Sequence, residues 1–337
     1  MSKIAYTGSG SPEPVRRELA RFMEGKGYPM DMLQLGLKPP RDAYEQKEML
    51  KGYEVIISLG EQYSDRCLRY LSDDLRLLSR HGVGIDEISL DTATELGIAV
   101  CNAKGTLSAC VAECALSLIL MALHQYPALD RGVRAGDWNQ EAFSSELSGK
   151  VIGLVGFGDI AQGLAGLLSG FRCRILAYDP YFNEAAGRRL GVAACTLDAL
   201  LAEADVVSLH TPLTGQTQGM VDAAFLAKMK PSAILVNTSR GRLVVERDLA
   251  DALRAGTIAA AGLDCTEQEP IAQDSPLLEL GNVILLPHVA AHTYEGQLRA
   301  GLMACQNAID FLEGRDPASL CNPGYRGHAA RTAEVLA

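Results

Sequence analysis

Residues 151–163 read VIGLVGFGDIAQG, and the fold turns on this stretch. VIGLV is an unbroken apolar run, the pattern of a central parallel strand buried on both faces. Gly156-Phe157-Gly158-Asp159-Ile160-Ala161 follows at once, a GxGxxG sequence with alanine in the permitted third place. The motif is informative here because it closes a strand and opens a helix. Gly156 allows the tight turn. Gly158 lets a pyrophosphate approach the backbone, where a helix N-terminus stabilises its charge. Asp179 ends the next strand, in LAYDP, about 20 residues on. A carboxylate there accepts hydrogen bonds from both ribose hydroxyls and repels a 2′-phosphate. No arginine follows it directly, so the expected cofactor is NAD rather than NADP.

Outward from this stretch, five more strands are expected at 173–178, 205–210, 233–237, 258–264 and 282–287. Helical segments separate the earlier ones at 159–169, 183–190, 222–228 and 246–255. Six strands with intervening helices form a dinucleotide-binding layout. A long helix from about 107 to 125 precedes it, and another from about 293 to 313 follows, stopped by Gly314. The first hundred residues alternate strands (3–7, 54–59, 75–79) with helices (12–26, 41–51), implying a second parallel sheet covered by helices. The fold class is therefore α/β, with two Rossmann-like domains.

Composition agrees. The 337 residues suit about two domains. With 48% hydrophobic and 21% charged residues, disordered, collagen-like and simple coiled-coil chains are excluded. Asp plus Glu is 41 against 31 Lys plus Arg, a net charge of −10, which disfavours nucleic acid and anionic membranes as partners. MSKIAYTGSG has no apolar core or cleavage site, so it is not expected to be a signal peptide. The most apolar stretch, 109–123, is interrupted by Glu113 and falls short of the roughly 20 residues of a membrane span, so it reads as a buried helix. Nine cysteines without a CxxC pair suggest reduced core thiols in a cytoplasmic protein. Cys110 and Cys114 share a helix face but lack the partners of a zinc site.

Three polar residues fall just beyond late strands: Arg240 in LVNTSRG, Glu269 in GLDCTEQEP and His288 in LLPHVAAHT. Ligands of open α/β sheets bind at the carboxyl ends of strands. Singly, each has a plainer reading as a solvated arginine, a surface acid and a capping or core histidine. Together with RHGVGID, the VAE helix, RAGDW, SLHTPLT and MKPSAILVNTSRG, they give a sequence that, from about Arg80 to Leu312, resembles the NAD-dependent D-isomer-specific 2-hydroxyacid dehydrogenases.

The resemblance implies a split substrate-binding domain (1–102 and 293–337), an inserted NAD domain (103–292) and an active site between them. It implies hydride transfer between NAD(H) and a small 2-oxo or D-2-hydroxy acid, with His288 as proton donor or acceptor. Glu269 would pair with the other imidazole nitrogen and raise the histidine pKa. Arg240 would hold the carboxylate and carbonyl oxygens with its planar fork. Backbone amides of Gly82, Val83 and Gly84 would cradle the carboxylate. Asp159 and Ile160 would lie at the pyrophosphate, Thr211, Thr238 and Ser239 would line the NAD groove, and Asp264 would hold the nicotinamide carboxamide. Trp138, in RAGDW, matches a dimer arm, so a homodimer is expected; the plainer reading is a packed core tryptophan.

No metal is expected. His292 stands four residues after His288, but Pro287 precedes the pair in a strand-end loop and no EXXH-type partner accompanies it. His81, His124, His210 and His328 read as structural. Leu107 occupies the place where formate-oxidising relatives carry asparagine, which argues against formate. The sequence runs only about 25 residues past its last long helix, so the C-terminal regulatory extension of some phosphoglycerate-type relatives is not expected. Arg80, His81 or Lys104 could touch a substrate phosphate or simply be surface charge. The alternative function is an NAD-sensing, corepressor-like binding protein of the same superfamily, which keeps the same triad.

Overall fold

The computed structural model describes residues 2–8, 10–35 and 42–327. They form two compact units, residues 1–107 with 292–337, and residues 108–291. The divisions fall after Leu107 and after Ala291, five residues and one residue from the sequence-based limits of 103 and 292.

The first unit is built on five parallel strands: β1 (Ile4–Tyr6), β2 (Asp31–Met32), β3 (Val55–Ser58), β4 (Leu77–Arg80) and β5 (Ala99–Cys101). Their order is β2-β1-β3-β4-β5, the flavodoxin-like arrangement, whose switch point lies between β1 and β3. Alternation along the strands divides the core. Ile4, Tyr6, Val55, Ile57 and Leu77 pack with residues of the helices Glu13–Gly25 and Tyr294–Leu312. Ala5, Ile56 and Leu78 pack with Tyr63, Cys67 and Leu68. The C-terminal helix thus returns to the first sheet. Gly301 makes this possible, because a Cβ there would lie 2.5 Å from Leu19 and 3.0 Å from the His81 ring. Tyr325, farther on, joins the same core.

The second unit carries seven parallel strands: β6 (Val151–Val155), β7 (Arg174–Tyr178), β8 (Val192–Ala194), β9 (Val206–Leu209), β10 (Ile234–Asn237), β11 (Ala260–Leu263) and β12 (Val283–Leu285). The order is β12-β11-β10-β9-β6-β7-β8. Read from β8, it is the Rossmann order 3-2-1-4-5-6 with a seventh strand added, and its switch point lies between β6 and β9. The helix Ser108–His124 packs its Ala112, Ala115, Leu118 and Ile119 into this unit's core. Gly262 lets that helix lie close against β11, since a Cβ there would stand 3.0 Å from Leu118. No single helix among the described residues is long and apolar enough to cross a membrane.

The expected strands all form: β6 has the expected bounds, β4 is shifted to end one residue later, and the others are shorter by one to three residues. Strands β2, β5 and β8 were not anticipated; with two or three residues each, they are too short for a periodic signal. The helix expected at 41–51 is instead a 3₁₀ turn, Ala43–Gln46, and a single α-turn, Lys47–Leu50, with residue 41 outside the described residues. The helix Leu197–Glu203 was missed, although Thr196 caps it by accepting from the Ala199 amide.

Glu61 is the one acidic side chain among the described residues that is buried in the first unit; only 6% of it is exposed, and it accepts a hydrogen bond from the Leu59 amide. Burial pushes its pKa up from 4.5 to about 7, partly offset by its loop amides and by Arg80. In the unfolded chain it ionises near 4.5, so its contribution to stability falls as pH rises from there to about 7. Glu61→Gln removes that dependence. The variant should gain on the order of 2–3 kcal/mol relative to wild type between pH 5 and pH 8, as read by urea unfolding. An equal difference at both pH values would contradict the buried-carboxyl assignment.

Candidate active site

The glycine loop lies at the switch point of the second sheet. Gly156 has φ +95°, and a Cβ there would stand 2.5 Å from the His210 carbonyl oxygen at the end of β9. Only glycine fits. Gly158 precedes the helix Asp159–Leu168, and nothing lies within 4 Å of where its Cβ would be. No side chain caps this helix N-terminus. Asp159 and Ile160 begin it, and an uncapped helix N-terminus with open space at Gly158 is a fitting seat for a pyrophosphate. Ala161 is fully buried against the sheet, as the motif requires.

Asp179 follows β7. One carboxylate oxygen accepts from the Phe157 amide and the other from Tyr181, both at 2.7 Å. It therefore pins the glycine loop while keeping lone pairs for a ribose. Thr211 follows β9 and is partly buried. Thr238 follows β10; its hydroxyl is buried and has no hydrogen-bond partner among the described residues. An orphaned buried hydroxyl at the carboxyl end of β10 suits a polar ligand. The Ser239 hydroxyl is already engaged, donating to the Leu209 carbonyl at 2.8 Å and tying β10 to β9. His210, whose Nε2 lies 2.9 Å from the Ser208 hydroxyl, is held neutral by burial, with a pKa pushed down to about 4.

Arg240, Glu269 and His288 come together in this unit. Arg240 sits where β10 turns. Its carbonyl accepts from Asn237 Nδ2 at 2.9 Å, and its Nη1 donates to the Ser239 carbonyl. The next residue, Gly241, packs so tightly on the Thr266 backbone that a Cβ would stand 1.8 Å from its carbonyl oxygen. That approach brings the arginine turn against the loop carrying Glu269. Glu269 Oε2 lies 2.7 Å from His288 Nδ1, and Oε1 accepts from the Thr266 amide. The hydrogen bond from Glu269 raises the His288 pKa against the opposing effect of burial; the nearby Arg240 charge lowers it. Burial raises the Glu269 pKa, but the hydrogen bond and charge of His288 outweigh that and leave it below the usual value.

Asp264 has a structural part that the resemblance does not give. It is 1% exposed, and its two carboxylate oxygens accept from the amides of Val289 and Ala290 at 2.8 and 2.9 Å. Its carbonyl accepts from the His288 amide at 2.7 Å. Besides the carboxamide contact that the resemblance implies, it braces the turn carrying His288. That turn needs a brace, since His288 has φ +57°, a conformation costly for a non-glycine residue.

Gly82, Val83 and Gly84 follow β4 in the first unit. Each of their carbonyls is taken: Gly82 by the Ala103 amide, Val83 by Asn102 Nδ2 (both 2.8 Å) and Gly84 by Arg80 Nε at 3.3 Å. Their three amides have no partner among the described residues, which leaves consecutive donors for an anion. Arg80 and His81 are 8% and 1% exposed, so neither is surface charge. Among the described residues, no group of three or more His, Cys, Asp or Glu side chains could hold a metal ion. His328 lies outside them. Trp138 is 74% exposed, so the packed-core reading fails.

Residues 116–290 match the D-isomer specific 2-hydroxyacid dehydrogenase, NAD binding domain family. The chain belongs to that family. A D-3-phosphoglycerate dehydrogenase of Archaeoglobus fulgidus is 35% identical over 303 residues, covering 90% of this chain and 56% of the relative. A glyoxylate reductase of Korarchaeum cryptofilum is 39% identical, covering 82% of this chain and 84% of that one. A crystal structure of a D-lactate dehydrogenase with NAD+ from Lactobacillus jensenii superposes with a TM-score of 0.77 at 26% identity, covering 94% and 99% of the two chains. This family member spans about half the length of the phosphoglycerate dehydrogenases it matches.

Exchanging Glu269 for glutamine keeps a hydrogen-bonding group but removes the charge that favours the imidazolium. The His288 pKa should fall, to be read by NMR titration of its imidazole. An unchanged titration would show that Glu269 does not act on His288.

Proposed function

We propose that this family member is an NAD-dependent D-2-hydroxyacid dehydrogenase that works mainly as a 2-oxo acid reductase. The observation that carries this reading is the His288 Nδ1–Glu269 Oε2 contact of 2.7 Å in the same unit as the glycine loop, with Arg240 close enough to influence both. Hydroxypyruvate, glyoxylate and phosphoglycerate-type acids are the candidate substrate classes. The relatives named above are dehydrogenases and a reductase, which favours this reading over a corepressor-like binding protein.

Bound NAD(H) supplies or accepts the hydride. The chain's own residues do the rest. Glu269 holds Nδ1, which fixes the tautomer and directs Nε2 at the substrate oxygen. In reduction, protonated His288 gives its Nε2 proton to the carbonyl oxygen as the alcohol forms; in oxidation, neutral His288 removes it. Arg240 offers a planar fork to the carboxylate and carbonyl oxygens and stabilises the charge developing on the latter. In the first unit, the consecutive amides of Gly82, Val83 and Gly84 suit a carboxylate. A raised His288 pKa extends the imidazolium form, and with it reduction, to higher pH.

The protein acts, in this proposal, as a cytoplasmic homodimer. Nine free thiols support a reducing compartment. Tyr126, Val133, Trp138 and Phe143 are exposed large apolar side chains on or just after the helix Tyr126–Arg134, which buries none of its own residues. Such a concentration of apolar surface suits a subunit contact.

His288→Gln should lower turnover of a responsive 2-oxo acid about 10²–10⁴-fold while leaving NADH binding, read by fluorescence titration, within a few-fold of wild type. A variant with nearly wild-type turnover would sink the assignment.

Cofactor choice gives a second test. Steady-state kinetics should show NADH preferred to NADPH, and Asp179→Ser should weaken use of NADH and improve use of NADPH, since it removes a like charge from the 2′-phosphate. Wild-type preference for NADPH would contradict the role given to Asp179.

A further inference from the structure

Asn102 follows β5 and lies outside the motifs that carry the family resemblance. Its side-chain Nδ2 donates to the Val83 carbonyl at 2.8 Å, and the Ala103 amide donates to the Gly82 carbonyl at the same distance. One dipeptide thus grips two successive carbonyls of the loop. In a planar trans peptide the N–H points opposite to the C=O. Holding the Gly82 carbonyl therefore aims the Val83 amide away from Ala103, and holding the Val83 carbonyl aims the Gly84 amide away from Asn102. Those are two of the three amides that have no partner among the described residues.

Asn102 is itself fixed at both of its own backbone groups. Its carbonyl accepts from Asn307 Nδ2 at 3.0 Å, and its amide donates to the Ser319 carbonyl at 3.2 Å. Asn307 is 1% exposed and lies in the helix Tyr294–Leu312. The same helix takes hold of the other end of the loop. His81 Nε2 donates to the Gln297 carbonyl at 2.7 Å, and its Nδ1 lies 2.9 Å from the Tyr6 hydroxyl. Arg80, on the opposite face of β4, runs beneath Gly82 and donates to the Gly84 carbonyl.

We propose that Asn102 is a positioning residue for substrate binding: anchored on the C-terminal return segment, it orients the amides of the Gly82–Gly84 loop toward the carboxylate of the 2-oxo acid. The inference rests on the proposed dehydrogenase function and deepens it. Asn102 touches no reacting atom. It acts on affinity for the acid, through the direction of the loop amides.

The test compares Asn102→Asp, which keeps the shape but replaces the donor with an acceptor, and Asn102→Ala, which removes it. Oxalate, a non-reducible dicarboxylate, serves as the binding probe, measured by calorimetry on the NADH-loaded full chain. Glyoxylate and hydroxypyruvate serve as substrates. Loss of one hydrogen bond that orders the loop should weaken oxalate binding and raise KM for the oxo acid by roughly tenfold, and more for Asp than for Ala. kcat should stay within about threefold and NADH affinity should not change. A merely structural role would lower the melting temperature of the variants while leaving oxalate affinity and KM of the folded protein as in wild type, and that result overturns the proposal. If the wild type reduces no oxo acid yet binds oxalate in an Asn102-dependent way, the dehydrogenase reading fails and the positioning role stands. If it neither reduces an oxo acid nor binds oxalate, both fall.

Discussion

A buried carboxylate, Asp264, holds the amides of Val289 and Ala290 while its own carbonyl takes the amide of His288. The rest of the site depends on this brace. His288 occupies the left-handed region, where a non-glycine residue stays only if its surroundings over-determine it. Three hydrogen bonds to one acidic residue do so, and they set the ring where Glu269 can reach Nδ1. Were the turn to relax to an ordinary conformation, the imidazole would swing off the carboxylate and lose both its tautomer and its raised pKa.

Close backbone approach does comparable work elsewhere. Gly156 lets β6 end against the His210 carbonyl, which opens the switch point of the second sheet. Gly241 lets the turn of Arg240 press on Thr266, so a cation and a carboxylate from different loops share one electrostatic environment. In both places the limiting quantity is the volume of a single methyl group. The chemistry therefore rests on packing as much as on charged side chains. Parallel strands supply the common direction, since every one of these loops leaves a strand at its carboxyl end.

Much of this was legible in the sequence, for identifiable reasons. The long apolar runs of β6, β7, β9 and β10 announce strands buried on both faces, and the GxGxxA loop needs its neighbouring strand and helix to make sense. Arg240, Glu269 and His288 were readable because each sits in a short motif just past a strand. The short strands β2, β5 and β8 carry too few residues for periodicity to register. The brace role of Asp264 was hidden because a carboxylate that binds a ligand and one that binds backbone amides are written with the same letter. Asn102 was passed over for a similar reason. A polar residue ending the run IAVC looks like a strand terminator, and only the fold shows that its partner is Val83. The burial of Arg80 and His81 was not legible because nothing local in RHGVG indicates that the helix Tyr294–Leu312 returns to cover that strand end.

The central claim is that this site, on this scaffold, reduces a 2-oxo acid to one hand of the alcohol. Its most direct test is the configuration of the product. With NADH and hydroxypyruvate, the glycerate formed should be the D isomer alone by chiral chromatography, in amounts that match the NADH consumed. L-glycerate, a racemic mixture, or NADH loss without glycerate would contradict it.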